Sequence, residues 1–306
     1  MSQSVRALNR PRALRRAPRA FWPAFSFLLL SAAAAHAQQT APPFRGSLLR
    51  PAAAGRAPVA RGGSAPQEEE EVVKPSRPGV AMPAEIPEPG VFQIEFGYDG
   101  NFRARETRAE HTLPLTLRFS AARRLLLEAD VETFKSETDG QTRERRSGVG
   151  DTRLGLQVVA LEDRPGRPAL AFAYFVKIPS ASEEKQLGTG RFDHKFVGLL
   201  SKKFGRTDLD FNVAYLLVGE EGGGREHGGQ GALSVSREFE NDFGFAAELA
   251  GQSHDDVQPR GLFALGALTY KAGPRLVLDA GLRFGLNPEA PRVGVFAGLT
   301  VGVGRL

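Results

Sequence analysis

From residue 91 onward, apolar side chains recur at every second position in short runs, which is the period of a β-strand. In the first run, Phe92, Ile94 and Phe96 alternate with Gln93 and Glu95. Stretches with a helical period are nearly absent from this region. We count about twelve such runs, and an even number of antiparallel strands is typical of bacterial membrane barrels. The pattern therefore predicts an all-β fold built from one antiparallel sheet.

The connections between these runs alternate in length and composition. Long, polar or glycine-rich connections lie at 99–109, 135–147, 180–190, 219–228, 253–260 and 287–292. Tight links fall between them at 120–122, 162–167, 205–207, 240–241 and 272–274. A membrane barrel has short periplasmic turns at one rim and longer external loops at the other, whereas a soluble sandwich has no reason to alternate. We therefore expect residues 91–306 to form a closed transmembrane β-barrel of about twelve strands.

Closure places the two faces of the sheet in different surroundings. A sheet in hydrocarbon must close because unpaired backbone groups have no partner there, so the apolar row meets lipid and the polar row lines the lumen. The predicted lumen-lining and solute-binding candidates carry charges of both signs: Glu95, Arg118, Glu128, Asp130, Glu132, Arg153, Lys177, Asp210, Glu248, Asp279 and Arg283. Both a wetted channel and a salt-bridged, filled interior fit these charges, and about twelve strands favour a narrow or partly filled lumen.

The first 37 residues have the organisation of a cleavable leader. A region with six arginines precedes an apolar stretch from Phe21 to Ala35, and Ala35-His36-Ala37 forms a small-x-small cleavage site. Cleavage after Ala37 would change the formal net charge from +5 to about −1, so the basic composition is no argument for nucleic-acid binding. The absence of cysteine excludes disulfides and thiolate chemistry.

Residues 38–90 are rich in Pro, Ala, Gly and Arg, carry the acidic run Glu68–Glu71 and show no apolar periodicity. A segment of this composition lacks the apolar surface that would offset its ordering entropy. We therefore expect a disordered periplasmic linker between the leader and the barrel, serving either as a tether or as a capture site for a partner.

Five stretches of the barrel region resemble a known family. They read GVGDTRLGLQ (148–157), RPALAFAYFVKIPSA (167–181), GTGRFDHKFVGLLSKKFG (188–205), LDFNVAYLLVG (209–219) and LDAGLRFGLNPEAPRVGVFAGL (278–299). In this order they resemble the outer-membrane barrels named for a meta-pathway of phenol degradation, which are usually regarded as transporters. The resemblance covers about residues 92–306 and leaves out the linker. It implies transport but no family-wide catalytic residues.

These observations lead to a passive outer-membrane channel for small solutes, with hydrophobic or aromatic solutes implied by the resemblance alone. We expect no catalytic residues, no cofactor, no metal and no nucleic-acid partner; the expected partners are outer-membrane lipids, a small-molecule solute and the outer-membrane assembly machinery. One alternative is a non-conducting structural or binding barrel. Another is a lipid-modifying enzyme, for which only Ser253-His254-Asp255-Asp256 offers nucleophile, base and acid types together, although neighbours in one loop rarely converge as a triad requires.

Overall fold

A computed structural model describes residues 73–104, 107–220, 223–254 and 260–305. These residues form thirteen strands and no helix: β1 (Val91–Ala104), β2 (Thr107–Ala122), β3 (Leu125–Asp139), β4 (Arg145–Gly148), β5 (Thr152–Leu161), β6 (Ala169–Ile178), β7 (Asp193–Phe204), β8 (Thr207–Gly219), β9 (Arg225–Glu238), β10 (Phe243–Gln252), β11 (Gly261–Gly273), β12 (Leu276–Gly285) and β13 (Val293–Arg305). Over the ranges described, no helix has the length and apolar character needed to cross a membrane.

The sheet closes on itself. Except for β4, which pairs only with β3, each strand pairs antiparallel with the next strand of the barrel, and β1 pairs with both β2 and β13. Strands β4 and β5 pair in succession along the same edge of β3 and act as one interrupted strand. The thirteen elements therefore make a closed twelve-stranded antiparallel barrel, which confirms the predicted fold class.

Each predicted run corresponds to one strand, but several strands extend further toward the rim of long connections than expected. Most of the connection predicted at 99–109 is strand, because β1 continues to Ala104 and β2 begins at Thr107. Polar residues such as Asn101 and Glu110 carry this extension, and they pair in register across the two strands. The apolar period marks only the part of a strand that faces a dry environment, so it underestimates strand length.

The two faces of the barrel differ as the alternation predicted. Large apolar side chains such as Phe172, Phe211 and Leu268 remain exposed on the outside, where a soluble protein would bury them. Polar and charged side chains are buried inside, and Arg118 and Arg283 are among the most buried large residues of the described chain. This inside-out distribution is the one expected of a barrel surrounded by lipid.

The expectation of a disordered linker is wrong for its last eighteen residues. Residues 73–90, here called the lumen segment, are hydrogen-bonded to inward-facing side chains on seven strands. The segment has too little apolar surface to fold by itself, and hydrogen bonds to polar groups of the wall hold it in place instead. The predicted leader and residues 38–72 of the predicted linker lie outside the described residues.

Candidate functional site

The lumen segment is an extended chain whose backbone finds its partners on the barrel wall. It contains five prolines, which donate no backbone hydrogen bond and hold the chain extended. A buried backbone N–H needs an acceptor, and here side chains of the wall provide it because the segment forms no strand pairing of its own. The inner surface of the barrel thus acts as a binding site for a peptide of the same chain.

The segment first contacts β1 and β2. The backbone N–H of Lys74 donates to Gln93 at 3.0 Å, and the Gln93 amide donates back to the Lys74 carbonyl at 3.1 Å. Glu95 then accepts hydrogen bonds from the backbone N–H and the hydroxyl of Ser76, at 2.9 and 2.8 Å. These contacts fix the start of the lumen segment to the wall.

Arg77 lies in a socket on the other side of β1. Its Nε and Nη2 donate to the two carboxylate oxygens of Asp279 at 3.0 and 3.1 Å. The floor of the socket is the cross-strand pair Gly97 and Gly298, and a Cβ atom at either position would come within 2.7 Å of the guanidinium. Glycine is therefore required there for the arginine to lie flat against the wall.

The segment then crosses to the opposite wall. Glu248 on β10 accepts hydrogen bonds from the backbone N–H groups of Val80 and Ala81, each at 2.9 Å. Asn212 on β8 binds both polar groups of Met82: its Oδ1 accepts from the N–H at 2.6 Å and its Nδ2 donates to the carbonyl at 3.0 Å. These two side chains hold the middle of the segment.

The last part of the segment returns to its starting side. The backbone N–H of Ala84 donates to the Ser201 hydroxyl on β7 at 2.7 Å. On β2 the Ser120 hydroxyl donates to the Pro87 carbonyl at 2.8 Å. Lys74 and Glu85 close the excursion with an ion pair at 2.7 Å. The lumen segment therefore forms a loop across the interior and leads directly into β1.

Two cavities lie on either side of this loop. One of about 220 Å³ extends toward the rim of short turns, where Lys203, Asp208 and Lys271 line it. A second of about 110 Å³ extends toward the rim of long connections and is lined by residues that include Asp99 and Glu132. Residues 76–79 line both cavities, so this part of the segment is a partition across the lumen.

The wall carries its own charge network around the partition. Arg118 is fully buried and contacts Glu95 at 3.3 Å and Glu128 at 3.2 Å. It also donates to the Lys74 carbonyl at 2.7 Å, which connects the network to the lumen segment. Because buried charges need partners, this arrangement holds both carboxylates and the segment in place.

Two further arginines of the wall stack on inward-facing aromatic rings. Arg153 contacts Asp130 at 2.8 Å and its guanidinium lies 4.5 Å from the centre of the Phe175 ring. Arg283 contacts Asp99 at 3.0 Å and lies 5.1 Å from the centre of the Phe263 ring. The interior therefore combines charged and aromatic surfaces, and each guanidinium is held by both.

The eleven predicted lumen residues all belong to the inward row of the barrel. Ten lie along the two cavities or in the buried networks around them. Lys177 lies closer to the rim of long connections, where it pairs with Asp151 and Asp193. Solute binding by these residues stays a prediction. Five neutral residues that hold the lumen segment lie outside the predicted set, because an uncharged polar residue in a strand gives no sign of its partner: Gln93, Ser120, Gln157, Ser201 and Asn212.

The candidate catalytic loop forms a hydrogen-bonded chain of three side chains. The Ser253 hydroxyl lies 2.8 Å from Nδ1 of His254, and Nε2 of His254 lies 2.9 Å from a carboxylate oxygen of Glu226. The Ser253 hydroxyl also accepts the Gly229 N–H at 3.0 Å, which ties the loop to β9. Asp255 and Asp256 lie outside the described residues.

Comparison with known proteins supports the barrel architecture. The chain is similar to an outer-membrane channel from Pseudomonas putida F1, with 14% identity and a TM-score of 0.57 over 74% of this chain and 99% of that one. It is also similar to outer-membrane phospholipase A from Escherichia coli, with 13% identity and a TM-score of 0.42 over 76% of this chain and 95% of that one. A third similar structure is the P. putida toluene transporter TodX, with 9% identity and a TM-score of 0.40 over 71% of this chain and 91% of that one. The first of these shows the fold of an outer-membrane barrel.

None of the curated proteins matches this sequence. A family model described as "Putative MetA-pathway of phenol degradation" matches residues 76–302, about three quarters of the chain. The match begins within the lumen segment, further upstream than the resemblance in the sequence suggested. The chain belongs to this family.

Proposed function

We propose that this protein is a passive channel of the outer membrane and that small solutes pass through it when the lumen segment moves away from the wall. The observation that carries the proposal is the pair of cavities on the two sides of residues 76–79. They extend toward opposite rims of a closed barrel, and only the lumen segment lines both as a partition. Displacement of one loop would therefore join them into a continuous path.

The nature of the contacts favours a partition that can move. One ion pair, between Arg77 and Asp279, joins the segment to the wall, and Ala81 and Ala84 pack in small apolar clusters of the wall. The other contacts are hydrogen bonds, each contributing about 0.5–1.5 kcal/mol net between neutral groups and about 1.5–3 kcal/mol where one group is charged, because water competes for the same groups. No strand of the sheet includes residues 73–90, so the segment can leave without opening the barrel. A strand of the wall could not leave in this way, because its departure would break the pairing that closes the barrel.

The proposed solutes are small molecules, and hydrophobic or aromatic ones are included on the strength of the family description. Phe175 lines the 110 Å³ cavity beside the charged groups, which supports the inclusion of aromatic solutes. The proposed location is the outer membrane after cleavage near Ala37, with outer-membrane lipids and the assembly machinery as partners.

A non-conducting barrel is the rival proposal, and the occupied lumen favours it. The two are separated by the flux of small neutral sugars into liposomes that contain the purified protein. Barrel formation is checked first by comparing the gel migration of boiled and unboiled samples. We expect solute entry well above that of empty liposomes, and His254→Ala should leave it unchanged because transport needs no catalysis. Liposomes that stay sealed with correctly folded protein would contradict conduction.

A further inference from the structure

Two carboxylates of the wall depend on the lumen segment for their hydrogen bonds. Among the described residues, Asp279 accepts only from Arg77, and Glu248 accepts only from the backbone N–H groups of Val80 and Ala81. Both carboxylates are buried and both line the 220 Å³ cavity. When the segment leaves, each is left in a confined interior without a donor, which is costly for an ionised group.

The socket around Asp279 has the shape that a planar cation needs. In one row of the wall, Gly97 pairs with Gly298, and Gly298 pairs with Asp279. The two glycines leave a flat floor, and the carboxylate at its edge binds a guanidinium through two parallel hydrogen bonds. This bidentate geometry is the one in which a carboxylate discriminates best for a guanidinium group.

The second carboxylate is open to the same kind of ligand. A Cβ atom at Gly79 would lie 2.1 Å from a Glu248 oxygen, so the segment approaches this side chain as closely as its backbone permits. Glu248 and Asp279 face the same cavity from β10 and β12. A molecule with a guanidinium at one end and a donor or ammonium at the other could contact both groups.

The charge balance of the wall points in the same direction. Among the wall residues that line the two cavities, ten are acidic and six are basic. The lumen segment carries two basic and two acidic residues, so its departure leaves this excess of acidic groups in place and removes the cation that pairs with Asp279. A confined acidic surface concentrates cations and repels anions.

We propose that Asp279 and Glu248, together with the floor formed by Gly97 and Gly298, bind solutes that carry a guanidinium or ammonium group, and that Arg77 occupies this site in the closed channel. The proposal deepens the channel function and rests on it, because a solute reaches these groups only after the segment has moved. Arg77 is a tethered competitor, and a short tether holds it at a millimolar effective concentration. A free cation therefore binds weakly until Arg77 is removed.

The test is calorimetric titration of agmatine, which has a guanidinium and an ammonium, into the purified protein in detergent. We expect Arg77→Gln to bind agmatine at least about tenfold more tightly than the unmodified protein, because the tethered competitor is gone. Asp279→Asn in the Arg77→Gln background should abolish that gain. Arg123→Gln, at an arginine whose side chain is 79% exposed, is the matched control and should change nothing. Equal binding of the dianion glutarate, or a gain that survives Asp279→Asn, would overturn the proposal.

Flux measurements on the same variants separate this site from the channel function. Solute flux without selective agmatine binding by Arg77→Gln would overturn the cation site and leave conduction intact. Agmatine binding that requires Asp279, in liposomes that stay sealed, would support the site and contradict conduction.

Discussion

Asn212 holds the backbone of Met82 by both of its polar groups, with the N–H to Oδ1 distance at 2.6 Å and the Nδ2 to carbonyl distance at 3.0 Å. The side-chain amide thus pairs with both the N–H and the carbonyl of one residue, as a neighbouring β-strand would do with its backbone. This contact lies at the far wall from the place where the lumen segment begins. Together with Glu248, it holds the middle of the segment across the lumen.

Asn212→Ala should loosen the segment without unfolding the barrel. Two hydrogen bonds of about 0.5–1.5 kcal/mol each are lost, so amide exchange at residues 80–84 should accelerate by roughly 5- to 100-fold. Hydrogen exchange followed by mass spectrometry measures this directly. Asn241→Ala, at an exposed turn, is the control and should leave those amides unchanged. Unchanged exchange in Asn212→Ala would show that the segment is held elsewhere.

Arg118→Met should be among the most destabilising single changes in the barrel. It leaves Glu95 and Glu128 buried without their cation, and breaking a buried ion pair from one side costs about 3–5 kcal/mol. The free energy of unfolding by denaturant in detergent or lipid measures the loss. Arg123→Met breaks an exposed pair with Glu162 and should change stability by less than about 1 kcal/mol. A similar effect of both changes would contradict the buried network.

Gly298→Ala should release Arg77 from its socket. The added methyl group would lie 2.6 Å from Nε of Arg77, and its contacts are with that side chain rather than with the backbone. We expect Gly298→Ala and Arg77→Gln each to raise solute flux, and the two changes together should add nothing further because they remove the same contact. Gly266→Ala, where no atom lies within 4 Å of the added group, is the silent control. If the two changes raised flux additively, Gly298→Ala would act through a contact other than the one with Arg77.

Leu268→Lys tests which face of the barrel meets lipid. Leu268 is 60% exposed near the middle of β11, and a lysine near the bilayer midplane costs about 2–4 kcal/mol. Folding free energy measured in lipid bilayers should fall by that amount. Ser236→Lys, in a residue that lines the cavity, should have little effect because the lumen is wet. A larger loss from Ser236→Lys than from Leu268→Lys would reverse the assignment of faces.

The strands and their orientation could be predicted because one physical rule fixes both. Lipid on one side and an enclosed interior on the other impose an alternation that appears directly in rows such as Phe92, Ile94 and Phe96 against Gln93 and Glu95. Connection lengths then set the two rims. Strand ends beyond the apolar rows, as in β1 after Tyr98, were underestimated because hydrogen bonding continues there without an apolar face.

The lumen segment could not be predicted from its own residues. Its proline-rich composition is typical of a linker, and its order depends on side chains 19 to 202 positions away in sequence, such as Glu95 and Asp279. Gly97 and Gly298 gave no signal either, because a glycine in a strand has several explanations until the side chain over it is known. The inward charges were identified, but not that four of them bind the lumen segment: Glu95, Arg118, Glu248 and Asp279.

Conduction as proposed requires residues 73–90 to leave the wall before solute passes, and a reversible cross-link tests this requirement. The natural sequence has no cysteine, so Ala84→Cys with Ser201→Cys introduces one unique pair at a site where the Ala84 N–H lies 2.7 Å from the Ser201 hydroxyl. If this requirement holds, solute flux into liposomes stops when the disulfide is formed and returns on reduction, while each single variant conducts throughout. Equal flux through the oxidised and the reduced double variant would contradict it.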